Sequence, residues 1–90
     1  MIRKHIIITN PSGLSVDPAC LLSKHARQYD CTATLYYKHY NINVKSMMHI
    51  LSAALANGTE AELVCCGTDE EQCINDLCRL FAQGLEQEEP

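Results

Sequence analysis

The sequence predicts an α+β fold: an open-faced sandwich in which a four-stranded antiparallel sheet carries three helices on one face, in the order β-α-β-β-α-β-α. Three observations lead there. Four short runs, at residues 2–9, 31–37, 40–44 and 60–66, are β-branched or alternate apolar with polar side chains, and turn residues bound most of them. Three other segments show helical spacing behind helix-start signals. Each helical stripe needs an apolar surface, and one face of a four-stranded antiparallel sheet supplies it.

Residues 2–9 form the first strand, stopped by Asn10-Pro11-Ser12-Gly13. Ser15 stands at the N-cap of the first helix, with Asp17 in its first turn. Pro18 is tolerated there because first-turn N–H groups lack helical acceptors. Ala19, Leu22, Ala26 and Tyr29 recur on one face of this helix. Residues 31–37 place Ala33, Leu35 and Tyr37 on one side of a strand, and residues 40–44 follow across Lys38-His39, neither of which is a favoured hairpin-turn residue. Ser46 caps a short helix from Met47 to about Leu55, ended by Asn57-Gly58. In the last strand Ala61, Leu63 and Cys65 alternate against Glu60, Glu62, Val64 and Cys66. Gly67 ends it, and Thr68-Asp69-Glu70-Glu71 reads as a capping box. Ile74, Leu77, Phe81 and Leu85 form the stripe of the final helix, and residues 86–90 read as a polar, frayed tail.

Ninety residues make one domain, 1–90, and the chain shows no internal repeat. No apolar run is long enough for a membrane span or a signal peptide, so a cytoplasmic protein is expected. Seven basic against eleven acidic residues give a net charge of −4, and no basic stripe is interleaved with aromatics, which disfavours nucleic acid. The six cysteines include no CxxC pair and no zinc-finger spacing. They are read as core or surface thiols in a reducing compartment, with no metal and no cofactor expected. His5, His25, His39 and His49 are read as surface residues.

Two segments carry a resemblance. Gly13-Leu14-Ser15-Val16-Asp17-Pro18-Ala19 is similar to the G-L-H-[TA]-R-P-A motif of the HPr family, the small phosphocarriers of the bacterial sugar phosphotransferase system. Lys45-Ser46-Met47-Met48-His49-Ile50-Leu51-Ser52 resembles the segment around that family's regulatory serine. Asn57-Gly58-Thr59 and Gly67-Thr68-Asp69-Glu70 also match in order and spacing. The resemblance implies a non-enzymatic protein with protein partners: HPr kinase, a CcpA-like regulator or enzyme I.

The departures fall on the chemistry. The family's phosphoacceptor histidine is replaced by Ser15, and its arginine by Asp17. An imidazole is nucleophilic near neutral pH, whereas an unassisted hydroxyl is not. A carboxylate at position 17 repels an incoming phosphoryl group. No catalytic residue is therefore assigned, and Ser15 and Asp17 read as helix-stabilising residues. This pattern resembles Crh, an HPr homologue that lacks the phosphoacceptor histidine and keeps the regulatory serine. Ser46 has two readings of equal weight, a regulatory phosphorylation site with Lys45 beside it or an N-cap alone. Ser15, Val16, Asp17, Met47, Met48 and Leu51 are the expected partner-binding residues. The reading is a monomeric regulatory module. The alternatives are a phosphocarrier using a non-standard acceptor and a binding domain outside sugar transport.

Overall fold

The computed structural model describes residues 1–85, and the expected polar tail at 86–90 lies outside them. The chain runs β1 (Ile2–Ile7), α1 (Val16–Ala26), β2 (Cys31–Tyr37), β3 (Tyr40–Asn43), α2 (Met47–Ala53), β4 (Glu60–Gly67) and α3 (Glu70–Ala82). All strand pairs are antiparallel and the sheet order is β1-β4-β2-β3. The predicted fold class and element order are both present.

Register follows from the pleat. Leu35 pairs with Leu63 on β4 and with Ile42 on β3, so one face carries Ala33, Leu35, Ile42, Ala61, Leu63 and Cys65, all buried. The three helices cover that face with Ala19, Leu22, Ala26, Ile50, Ile74, Leu77, Leu80 and Phe81. On the opposite face Arg3, His5, Glu60, Glu62 and Thr32 meet solvent, and Arg3 pairs with Glu62 at 2.8 Å. Val64 belongs to that outer face yet is buried, because β4 is flanked on both sides, by Arg3 of β1 and Thr34 of β2. No helix among the described residues is long and apolar enough to cross a membrane.

Besides one-residue shifts at the ends of β3 and β4, four boundaries differ from the sequence reading. β1 stops at Ile7, because Ile8 bonds instead to the turn at Thr59 and Gly58. α1 ends at Ala26, and Tyr29 falls in the turn beyond it. α2 ends at Ala53, with Ala54 in the left-handed conformation, rather than running to Leu55. The α3 cap is Asp69, not Thr68. Asp69 Oδ2 accepts the Asp30 N–H, and Glu70, not Glu71, reaches back to accept the Gly67 N–H. The hairpin from β2 to β3 closes on Lys38 and His39, with Lys38 at a φ of 53°.

A polar network ties α1 to α3. Asp76 is only 12% exposed and accepts from Tyr29 Oη at 2.8 Å and Arg79 at 2.7 Å, while His25 Nδ1 lies 3.0 Å away. His25 is therefore an inter-helix link rather than the surface residue the sequence suggested. Burial raises the Asp76 pKa, but hydrogen bonds from His25, Tyr29 and Arg79 outweigh it and hold the carboxyl below its usual range. The same bond pushes Tyr29 up to about 12. A depressed folded-state carboxyl contributes stability that is present above its unfolded pKa and lost as pH falls through the folded value. Asp76→Asn is therefore expected to cost about 1–3 kcal/mol at pH 7. Urea unfolding of both proteins should show the gap closing as pH falls below the ordinary carboxylate pKa of about 4.

Candidate functional site

The site is built around the entry to α1. Gly13 adopts a φ of +64°, and a Cβ there would lie 2.4 Å from the Leu55 carbonyl oxygen and 2.9 Å from Ala56 Cα. Only glycine permits that approach without strain. It lets the Leu14 N–H reach the Leu55 carbonyl at 2.9 Å, so the start of α1 is fixed against the segment that leaves α2. Leu55 has left the helix by this point, and both its side chain and that of Leu14 are buried.

Ser15 occupies the N-cap position with extended backbone, and its carbonyl accepts the first helical bond from Ala19 at 2.9 Å. Its hydroxyl makes no cap bond. An N-cap side chain bonds the N–H of the second or third helical residue, and the third residue here is Pro18, which has none. The hydroxyl turns outward to Ser12 Oγ at 3.0 Å. Ser12 O–H is given to Asn10 Oδ1 at 2.7 Å, so Ser15 is the donor in its pair with Ser12. Asn10 also accepts the Ser12 N–H and donates to the Gly84 carbonyl at 2.8 Å. The expectation that Ser15 stabilises the helix as a side-chain cap is thus corrected. Val16 and Asp17 follow it, both exposed, Val16 at 58%.

Ser46 does cap its helix. Its Oγ accepts the His49 N–H at 3.2 Å and its carbonyl accepts from Ile50 at 3.0 Å. His49 Nδ1 accepts the Asn43 N–H at 3.0 Å, which requires that nitrogen to be unprotonated and places the ring hydrogen on Nε2. Lys45 points elsewhere. Its ammonium donates to the Tyr29 carbonyl at 2.7 Å instead of standing beside Ser46. Met48 is 78% exposed, whereas Met47 and Leu51 are half-buried against the core. Ser15 lies by the end of α2 and Ser46 at its start, so the two serines are separated by roughly 10 Å of helix and do not form one cluster.

The family's model, described as the PTS HPr component phosphorylation site, matches residues 2–83. The chain belongs to the HPr family. It is 32% identical to the phosphocarrier protein HPr of Treponema pallidum over 88 residues, covering 98% of this chain and 100% of that one. It is 29% identical to the HPr-like protein Crh of Bacillus subtilis over 77 residues, covering 86% and 91%. The crystal structure of HPr-C-His from Thermoanaerobacter tengcongensis superposes with a TM-score of 0.91 at 29% identity, covering 99% of this chain and 100% of that one. This HPr family member thus shares the fold of the phosphocarriers of the phosphotransferase system, with Ser15 and Asp17 at the start of α1.

Sequence reasoning placed Ser15 and Ser46 at the two helix starts but missed Asn10, Ser12 and the His49–Asn43 bond. The Asn-Pro-Ser-Gly run did hold the signal, since asparagine accepts from the N–H two residues on in such turns. The two caps should separate on mutation. Ser46→Ala is expected to cost about 1 kcal/mol in urea unfolding. Ser15→Ala, which removes no cap bond, should change stability by less than about 0.5 kcal/mol.

Proposed function

We propose that this chain is a regulatory or partner-binding member of the HPr family that does not relay phosphohistidine and is switched by phosphorylation of Ser46. The observation that carries the reading is the state of the α1 entry. A relay needs a nucleophile that accepts a phosphoryl group and passes it on. Ser15 offers a hydroxyl whose proton is engaged by Ser12, with no base bonded to it among the described hydrogen bonds. A phosphoserine ester is also a far poorer donor than a phosphoramidate. Asp17 adds an exposed carboxylate where the family motif has arginine, which disfavours a dianion at that helix start.

Ser46 is the better-placed acceptor for regulation. Its hydroxyl accepts a single bond from the helix, and the exposed Met48 follows in the first turn, so a phosphate would alter the charge of that surface. Because Lys45 is held by Tyr29, neutralisation of that phosphate falls to the free N–H groups of the first turn and to a cationic partner. Met48 and Val16 are exposed apolar side chains at opposite ends of α2, with Met47 and Leu51 half-buried, which suits protein partners such as HPr kinase, a CcpA-like regulator or enzyme I.

Incubation with enzyme I and labelled phosphoenolpyruvate separates this reading from a carrier. The natural chain is expected to take no acid-labile label, and Ser15→His with Asp17→Arg should gain it. Label on the natural chain would overturn the proposal.

A further inference from the structure

Three cysteines that share no sequence motif converge inside the core. Cys31 lies on β2, Cys65 on β4 and Cys73 in the first turn of α3, and all three are buried. Their sulfurs lie within 4.8 Å of one another, with Cys65 and Cys73 Sγ at 3.7 Å. A metal held about 2.3 Å from three sulfurs in a plane sets those sulfurs about 4.0 Å apart. The three thiols therefore stand close to the spacing of a trigonal tris-thiolate centre before any ion is bound.

Sheet register brings the two strand cysteines close together. Cys31 pairs with Gly67, where a Cβ would lie 2.6 Å from Cys31 Cα, and Cys65 pairs with Ala33. On the sheet, Cys31 is thus beside a glycine, and Cys65 sits between Ala33 and Ile2. Cys73 stands one turn into α3, its N–H already bonded to the Asp69 carbonyl at 2.9 Å, and its buried side chain faces the sheet. The Lys45 ammonium, anchored on the Tyr29 carbonyl, is close enough to favour the thiolate forms of Cys31 and Cys73.

We propose that Cys31, Cys65 and Cys73 form a binding site for a single soft monovalent metal ion, Cu(I). The inference goes beyond the proposed function and does not rest on it. Thiolates select soft ions, and a buried set of three suits Cu(I) better than Zn(II), which takes four ligands or keeps a water in an open position. Burial pushes Cys31 up to about 11, and the bond with Cys65 followed by burial pushes Cys73 up as well. Binding breaks up to three S–H bonds, forms three Cu–S bonds and releases the protons to solvent, with no change of oxidation state. The bound centre carries a net negative charge, which Lys45 partly offsets.

The test uses the variant Cys20→Ser, Cys66→Ser, Cys78→Ser, which keeps the three core thiols and alters only exposed or half-buried positions. It is titrated anaerobically with Cu(I) against bathocuproine disulfonate. The expected result is one Cu(I) per chain and a thiolate-to-copper absorption band in the near ultraviolet. No binding by this variant overturns the proposal. Adding Cys73→Ala, in a protein shown folded by circular dichroism, should weaken binding by at least about 100-fold. Unchanged binding in that folded protein also overturns it.

Discussion

The close approach of Gly13 to Leu55 and Ala56 governs where α1 and α2 sit. It needs a glycine at a positive φ, a carbonyl at Leu55 released from α2, and a left-handed Ala54 to release it. A side chain at Gly13 would push the α1 entry away from the end of α2. With the glycine in place, Ser15, Val16 and Asp17 emerge at one end of α2, while Ser46 and Met48 stand at the other. The sheet beneath supplies the platform, since its register puts Leu35, Ile42 and Leu63 side by side under the helices.

On that scaffold the chemistry of the α1 entry is decided by neighbours more than by the helix itself. Pro18 removes the N–H that a serine cap seeks, so Ser15 joins a surface hydroxyl chain ending on Asn10 and the Gly84 carbonyl. The helix start is left with an exposed carboxylate at Asp17. At Ser46 the local chemistry is ordinary capping, and the side chain remains partly accessible. The two serines thus differ in what a phosphate would meet: a fixed anion beside Ser15, and first-turn N–H groups with an apolar surface beside Ser46.

Much of the fold was legible because burial obeys strand and helix periods. The phases read for β2 and β4 put Ala33, Leu35, Ala61, Leu63 and Cys65 inside, where they are. The helix ends were less legible, because tertiary bonds set them. Leu55 leaves α2 to serve Leu14, and Asp69 gives its carboxylate to Asp30 instead of leaving the cap to Thr68. Lys45 and His25 were misplaced for the same reason, their partners Tyr29 and Asp76 being remote in sequence. The cysteine cluster was invisible to motif spacing, since it joins two strands and a helix. Inward phase combined with strand register would have brought Cys31 and Cys65 together.

We propose that phosphate control in this HPr family member resides at Ser46 and not at the entry to α1. Incubation with HPr kinase and ATP, followed by tandem mass spectrometry of the intact and digested protein, tests it most directly. The account predicts one added phosphate, located on Ser46 and absent from Ser46→Ala. An unmodified Ser46, or a phosphate located on Ser15, would contradict it.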